Sequence, residues 1–127
     1  MLANDLNEIL EKFDFTDSIV THVEWSDNKK DLIVSIDYYW DIQEGKDKTR
    51  VLKLIFKNCI KVNFQIPKEL ALNNDEMNTD SYFTIVLLKE KESSSLANDD
   101  EKHVEIFTTD YSIPWLSVVC RQVLLTE

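Results

Sequence analysis

The first thirteen residues carry apolar side chains at helical spacing. The positions that share one face of a helix at this spacing are Leu6, Ile9, Leu10 and Phe13. Asn4 or Asp5 can cap the helix start by accepting hydrogen bonds from free backbone N–H groups. The pattern predicts one short helix over about residues 4–13, with a narrow apolar stripe that lies against one face or edge of a sheet.

From Ile19 the hydrophobic pattern changes to a period of two, which is typical of β-strands. The residues expected to share the core side are Ile19, Thr21, Val23 and Trp25, with His22 and Glu24 on the other side. A polar turn at residues 26–30 follows, and residues 32–40 then alternate in the same way. The two runs predict a β-hairpin with strands 19–25 and 32–40.

Period-two runs recur at residues 51–57 and 60–64, and the Asn58-Cys59 pair interrupts the alternation between them. A bulge or tight turn there would either separate two strands or bend one, and the pattern leaves both alternatives open. Pro67 suits the first turn of a brief helix over residues 67–72, which the polar loop 73–80 follows.

The strongly apolar run from residue 82 to 89 (YFTIVLLK) predicts a central strand covered on both faces. Residues 103–109 are its expected hairpin partner, across the long acidic loop 90–102. Residues 116–125 (LSVVCRQVLL) predict one last strand.

These elements predict an α+β fold that is mainly β, formed by a single domain over residues 1–127. We expect six to seven mostly antiparallel strands, because no helical pattern separates most of them. A sandwich and a strongly twisted sheet both fit, with a short N-terminal helix and a brief helix near 67–72 packed to one side.

The chain has 24 acidic and 14 basic residues and a formal net charge of −10. This charge repels a phosphate backbone, so we expect no direct nucleic-acid partner. The N-terminal sequence lacks the basic start and apolar stretch of a signal peptide, and no apolar run is as long as a membrane span. We therefore expect a cytoplasmic protein without membrane contact, in which Cys59 and Cys120 are buried free thiols.

Sequence signals for catalysis or cofactor binding are missing. One glycine excludes a glycine-rich phosphate loop, and no GxSxG motif is present. His22 and His103 have no metal ligand or nucleophile at a recognised spacing. We therefore predict no catalytic, cofactor-binding or metal-binding residue, and we expect that the protein is not an enzyme.

Aromatic and acidic residues in the predicted hairpin suggest a surface that binds another protein. We expect Trp25 and Trp40 to lie at one end of this hairpin, with an acidic rim, and an acidic segment before residue 103 is a further candidate. The predicted partner-binding residues are Trp25, Asp27, Asp37, Tyr39, Trp40, Asp41, Glu44, Asp99, Asp100 and Glu101.

Three segments within residues 13–64 carry a family resemblance: FDFTDSIVTHVEW, DLIVSIDYY and LKLIFKNCIKVNF. Together with the short helix before them, they resemble small Gram-positive, Bacillus-like proteins of the polymorphic-toxin immunity type. The resemblance implies stoichiometric binding of a cognate toxin domain inside the producing cell. The acidity is compatible with such a role, because an acidic inhibitor associates rapidly with the basic groove of a nuclease.

Our main functional hypothesis is therefore an acidic cytoplasmic immunity protein that neutralises a toxin by occlusion, and the candidate partner is a basic toxin domain. Two alternatives remain open at this stage. One is a β-module that binds a small apolar or carbohydrate ligand through its sheet face and aromatic residues. The other is a homo-oligomeric structural or regulatory subunit, since the sequence leaves the oligomeric state undetermined.

Overall fold

The computed structural model describes residues 1–65, 83–91, 100–108 and 111–127. The fold is α+β and mainly β, as predicted. Within the described ranges there are two helices, α1 (Leu6–Lys12) and α2 (Trp40–Gln43). The strands are β1 (Ile19–Trp25), β2 (Leu32–Asp37), β3 (Val51–Lys57), β4 (Lys61–Phe64), β5 (Leu87–Glu90), β6 (Lys102–Phe107), β7 (Leu116–Cys120) and β8 (Gln122–Thr126). The helix predicted near 67–72 and the loop 73–80 lie outside the described residues.

The strands form two antiparallel sheets of four, ordered β1-β2-β3-β8 and β4-β7-β6-β5. Two chain segments belong to both sheets, because β3 continues into β4 and β7 continues into β8. Backbone hydrogen bonds bridge the change of sheet: the Arg121 N–H donates to the Lys57 carbonyl at 3.0 Å, and the Ile60 N–H donates to the Val119 carbonyl at 2.7 Å. The sheets thus share one bent two-stranded ribbon.

The bend is a β-bulge. Between the pairs Lys57–Gln122 and Lys61–Val119, one strand has three residues and the other has two. Asn58 takes up the mismatch with a φ of 53°, in the left-handed region where Asn is enriched. Of the alternatives for Asn58-Cys59, the structure has the one in which the interruption separates two strands.

A second connection joins the sheets on their far side. The Asp17 N–H donates to the Ile85 carbonyl, and the Ile85 N–H donates to the Ser18 carbonyl, both at 2.8 Å. Ile19 and Thr84 form an isolated antiparallel bridge next to these bonds. Ser18 directly precedes β1, and Ile85 lies just before β5. These bonds therefore link the two sheets a second time, and the strands form a hydrogen-bonded ring around the core.

The N-terminal residues cover the edge of β8. The Leu2 N–H donates to the Leu125 carbonyl at 2.8 Å, and the Leu125 N–H donates to the Ala3 carbonyl at 3.0 Å. Helix α1 begins at an Asp5 cap, whose carboxylate accepts from the Glu8 N–H at 2.8 Å. Its apolar stripe then buries Leu6 and Ile9, which confirms the short N-terminal helix.

One hydrophobic cluster includes residues from α1 and both sheets. Strand β3 shows why the sequence folds this way, because its alternate residues are buried and its intervening residues face outward. The fully buried residues of β2 and β3 are Leu32, Val34, Ile36, Leu52, Leu54 and Phe56. No helix in the described part of the chain is long and apolar enough to cross a membrane.

The hairpin of β1 and β2 is confirmed, but two details of its prediction are wrong. A register shift between Val20 and His22 breaks the expected face, so that Val20 is buried and Trp25 is 46% exposed. Strand β2 ends at Asp37 instead of residue 40. Its continuation is diverted because Tyr39 adopts helical backbone angles, with its N–H donating to Ser18 Oγ at 2.9 Å.

The apolar run that begins at Tyr82 is not one central strand. Tyr82 lies outside the described residues, Ile85 pairs with Ser18, and only Leu87–Glu90 forms β5, at the edge of its sheet. Among the described residues of this run only Ile85 is buried, and Leu87 and Leu88 are partly buried. Its expected antiparallel partner is confirmed as β6, although Thr109 lies outside the described residues.

The last predicted strand is two strands, β7 and β8, which meet at the exposed Arg121. The described residues therefore contain eight strands instead of six or seven. Apolar residues continue through the break because each half packs against the same core from a different sheet.

Phe56 is fully buried on β3 just before the bulge, so we predict that its packing contributes strongly to the free energy of unfolding. We expect Phe56→Ala to lower the free energy of unfolding by about 3–5 kcal/mol, because it leaves a cavity in the core. The matched control is Lys53→Ala on the exposed side of the same strand, with an expected change within about 0.5 kcal/mol. Urea denaturation measures both, and equal losses would contradict this view of the core.

Candidate protein-binding surface

The structure separates the predicted partner-binding residues into groups. Trp25 pairs with Leu32 beside the turn of the hairpin, whereas Asp37 pairs with Ile19 at the other end. Trp40 follows Asp37, so the two tryptophans lie at opposite ends, about 17 Å apart along the strand direction. The prediction that they share one end is wrong, because an antiparallel hairpin places the end of its first strand beside the start of its second.

Asp41 is not a surface residue. Its carboxylate is fully buried and binds three groups of the following loop. It accepts from the Arg50 guanidinium at 2.9 Å, from the Arg50 backbone N–H at 2.8 Å and from Lys46 Nζ at 3.1 Å. The hydrogen bonds from Arg50 lower the pKa of Asp41 from 3.8 to about 2, against the opposing effect of burial. Asp41 therefore holds loop 41–50 closed and is occupied internally.

Trp40 is also held internally. Its Nε1–H donates to the Thr16 carbonyl at 3.0 Å, and it is partly buried against the core. Its ring contacts the Tyr39 ring edge-on, with the centroids 5.2 Å apart. The partly buried Trp40 thus packs against the Tyr39 ring, and Tyr39 itself remains 38% exposed.

Around Tyr39, the structure presents apolar side chains to solvent. Ile42 is 46% exposed on α2, and Val51 is 48% exposed opposite Asp37 in the ladder. We define the α2 platform as Asp37, Tyr39, Ile42, Glu44 and Val51. Sequence analysis missed Ile42 and Val51, although Ile42 stands out as an apolar residue within a charged loop.

Two acidic residues of the α2 platform, Asp37 and Glu44, make no ion pair within the described residues. The Oδ1 atom of Asp37 is buried and has no hydrogen-bond partner within the described residues. Glu44 is exposed, and its carboxylate makes none of the ion pairs found within them. Glu44 is therefore the carboxylate of the α2 platform that a partner can reach, whereas Asp37 Oδ1 is enclosed.

The charges of loop 41–50 balance, with three acidic residues (Asp41, Glu44, Asp47) and three basic residues (Lys46, Lys48, Arg50). The α2 platform is therefore an apolar surface with a mixed polar rim, not a concentrated acidic patch. Any preference for a basic partner has to come from the net charge of the whole chain.

At the turn end of the hairpin, Trp25 and Asp27 are exposed. Asp31 in the same turn is buried and accepts from Lys57 Nζ at 2.7 Å and from the Asn58 N–H at 3.0 Å. The Lys57 hydrogen bond holds the pKa of Asp31 below its usual value. The Asp31–Lys57 ion pair joins the hairpin turn to the bulge. Trp25, beside this turn, is a second exposed aromatic residue on a constrained backbone.

The acidic segment before β6 lies only partly within the described residues. Asp100 is exposed and Glu101 is partly exposed, and both have further interactions within the protein. Asp99 lies outside the described residues. The structure therefore does not unite this segment with the α2 platform or with Trp25.

The two histidines occupy different environments. His103 is buried on β6, and its Nε2 lies 2.6 Å from Ser117 Oγ on β7. Burial lowers the pKa of His103 below its usual value. His22 is exposed and lies 3.6 Å from Glu24. In the described ranges, no three His, Cys, Asp or Glu side chains are grouped as a metal site.

No protein-family model matches the chain, and no curated protein matches it in sequence. Among solved structures, the fold is similar to the crystal structure of an uncharacterized protein from Neisseria gonorrhoeae. The identity is 12%, the match covers 90% of this chain and 94% of that chain, and the TM-score is 0.58. A similarity at this level of identity shows a common fold and does not transfer a function.

The buried Asp41 pair predicts a pH-dependent stability. Because the folded pKa of about 2 lies below the value of 3.8 for the free group, the stabilisation is complete above pH 3.8 and is lost as pH falls through 2. We expect Asp41→Asn to lower the free energy of unfolding by about 2 kcal/mol near pH 7, with a smaller difference toward pH 2.

Urea denaturation over this pH range measures the effect. Asp47→Asn is the matched control, because Asp47 is exposed in the same loop, and its expected change is within about 0.5 kcal/mol. A difference between Asp41→Asn and the parent protein that stays constant down to pH 2 would show that the carboxylate charge is not the source of the stabilisation.

Proposed function

We propose that this chain is a protein-binding domain whose α2 platform contacts the partner. The observation that carries the proposal is the exposure of Tyr39, Ile42 and Val51 beside a loop that the buried Asp41 holds closed. An exposed apolar group on a fixed backbone loses little conformational entropy when it is buried by a partner. Aromatic anchors of this kind, surrounded by polar residues, are typical centres of binding energy at interfaces.

The chemistry of the partner follows from charge. A net charge of −10 attracts a basic protein over several ångströms and accelerates its encounter with the chain. The apolar centre of the α2 platform would then supply the short-range binding energy. The proposed partner is therefore a protein with a basic surface around an apolar depression.

The resemblance over residues 13–64 adds a biological role to this binding chemistry. In this proposal the protein acts in the cytoplasm as an immunity protein that blocks a cognate toxin domain by one-to-one binding, without catalysis. The α2 platform falls within the segment that carries the resemblance. Support for the toxin comes from that resemblance alone, whereas support for protein binding comes from the exposed platform.

The opposite ends of the hairpin provide a direct test of which surface binds. A tagged protein is used to recover its partner from the native cell lysate at low and at high salt, and titration calorimetry then measures the affinity. We expect Tyr39→Ala to weaken binding by about tenfold to thirtyfold, because it removes the aromatic anchor. Trp25→Ala is the matched control, with an expected change below about twofold.

If Trp25→Ala loses binding and Tyr39→Ala does not, the interface lies at the turn end of the hairpin and not at the α2 platform. Recovery of the protein with itself alone would instead support the homo-oligomeric alternative. Circular dichroism checks that both variants remain folded. Because Tyr39 also accepts from Gln43 Nε2 at 2.9 Å and contacts the Trp40 ring, binding is compared only between variants that this measurement shows to be folded.

A separate measurement tests the role of charge. Glu44→Lys reverses an exposed charge on the α2 platform, and Glu24→Lys reverses an exposed charge on β1. We expect Glu44→Lys to slow association with a basic partner by about threefold to tenfold and to reduce its salt dependence. Equal association rates for the two variants would show that the partner does not approach through the α2 platform.

A further inference from the structure

A groove of about 610 Å³ opens between α1, the segment after it and the edge strand β5. Leu10 and Phe13 form one wall, and Leu88 lies on the other. Phe13 and Leu88 are partly buried and pack against the core, which holds both walls in place. The groove begins where the ring of strands opens, just after the hydrogen bonds between Ser18 and Ile85.

The β5 wall has an unpaired backbone edge. The Lys91 N–H donates to the His103 carbonyl at 2.7 Å, in register with the pairing of β5 to β6. In an antiparallel ladder the residues that bond to one neighbour alternate, so Leu87 and Lys89 bond to β6. The backbone groups of Leu88 and Glu90 therefore face away from β6, and the described residues supply no hydrogen-bond partner for them.

We propose that this groove binds an extended segment of a partner protein, which adds to β5 as a further strand. A free strand edge offers N–H and C=O groups at the spacing of a β-ladder, and an added strand satisfies them. The four residues of β5 span about 13 Å, so a segment of four or five residues pairs along the whole edge.

The lining of the groove indicates which side chains this segment carries. Its alternate residues that face Leu10, Phe13 and Leu88 are apolar, because these side chains line the groove. Charge also favours one class of segment. Asp14, Lys89 and Glu90 line the groove. Glu90 Oε2 lies 3.9 Å from Lys102 Nζ, and the Lys89 ammonium lies over the Phe107 ring, 5.4 Å from its centroid, so Asp14 is the lining charge without an ion pair or cation–π contact among the described residues. An extended segment that alternates apolar and basic residues complements the apolar lining, Asp14 and the net charge of −10.

The groove is continuous with the base of the α2 platform. The Thr16 carbonyl, in the groove wall, accepts from Trp40 Nε1 at 3.0 Å. The Asp14 N–H donates to the Tyr38 hydroxyl at 3.3 Å. A single partner can therefore cover the α2 platform while one of its strands or tails occupies the groove. In this form the inference extends the proposed function and rests on it for the identity of the partner, but not for the strand addition itself.

Three synthetic peptides with blocked termini test the strand addition on the full chain. The first alternates Lys and Val over seven residues, the second has the same sequence with alternate amide nitrogens methylated, and the third alternates Glu and Val. We expect the Lys/Val peptide to slow hydrogen exchange of the Leu88 and Glu90 amides by about tenfold or more, as measured by NMR.

The methylated peptide keeps the side chains and loses the backbone donors on one edge, so we expect it to give no protection. The Glu/Val peptide tests charge, and we expect it to bind at least about tenfold more weakly. Protection by the methylated peptide equal to that by its parent, or no protection of the two amides by any peptide, would overturn the proposal.

A pair of variants at Glu90 gives an independent measurement. Glu90→Pro removes both the carboxylate and the N–H that faces the groove, whereas Glu90→Ala removes only the carboxylate. Proline is tolerated at an edge position whose N–H faces away from the sheet. We expect Glu90→Pro to bind the Lys/Val peptide about tenfold more weakly than Glu90→Ala. Equal affinities of two folded variants would overturn the proposal.

The experiment also distinguishes this inference from the proposed function and from self-association. Tyr39→Ala leaves the groove unchanged, so peptide protection that persists in this variant supports the groove even if no partner binds the α2 platform. Sedimentation of the protein without peptide tests whether a second copy of the chain occupies the groove instead. A concentration-dependent dimer that Glu90→Pro abolishes would show that β5 pairs with a second copy of the chain, and it would overturn the peptide assignment.

Discussion

The shared ribbon of β3–β4 and β7–β8 is the constraint on which the rest of the structure depends. Because both strands pass from one sheet to the other, the bulge at Asn58 sets how the two sheets face each other across the core. The buried Asp31–Lys57 pair fixes the neighbouring hairpin turn to this bulge. Every other strand joins the ring by pairing outward from this ribbon.

The ring also determines where recognition surfaces can form. Its closure at Ser18 and Ile85 uses only a few backbone groups, and beyond it β5 has no neighbour on one side among the described strands. The same closure places Ser18 where its hydroxyl accepts from the Tyr39 N–H, which diverts the chain from β2 into α2. The α2 platform and the groove thus have one structural origin, although they present different chemistry.

Sequence patterns predicted the elements for which one face is buried and the other is exposed. Strand β3 is the clearest case, since its alternation follows directly from the difference in burial between its faces. The break between β7 and β8 was missed because Cys120 and Val123 are buried on either side of it, and only the exposed Arg121 marks the change of sheet. Hydrophobicity reports burial, and it does not report which sheet buries a residue.

The candidate site was less predictable, because it depends on tertiary contacts. Asp37, Asp41 and Glu44 look equivalent in the sequence as acidic residues near aromatic ones. Arg50, nine positions after Asp41, binds the buried Asp41 carboxylate. Glu44 makes no ion pair within the described residues and is exposed. Trp25 and Trp40 were grouped by composition, although strand direction places them at opposite ends.

The distribution of acidic residues would affect the rate of the proposed binding more than its specificity. Asp31 and Asp41 contribute to the net charge of −10, yet both are buried in ion pairs with Lys57 and Arg50. Among the other described carboxylates, Glu105 is also buried, and most of the rest are exposed or partly exposed. The charges of loop 41–50 balance. The net charge would accelerate the approach of the proposed basic partner. In the proposed complex, short-range specificity would come from groups with fixed geometry, namely the exposed apolar side chains of the α2 platform and the edge of β5 that has no neighbour among the described strands.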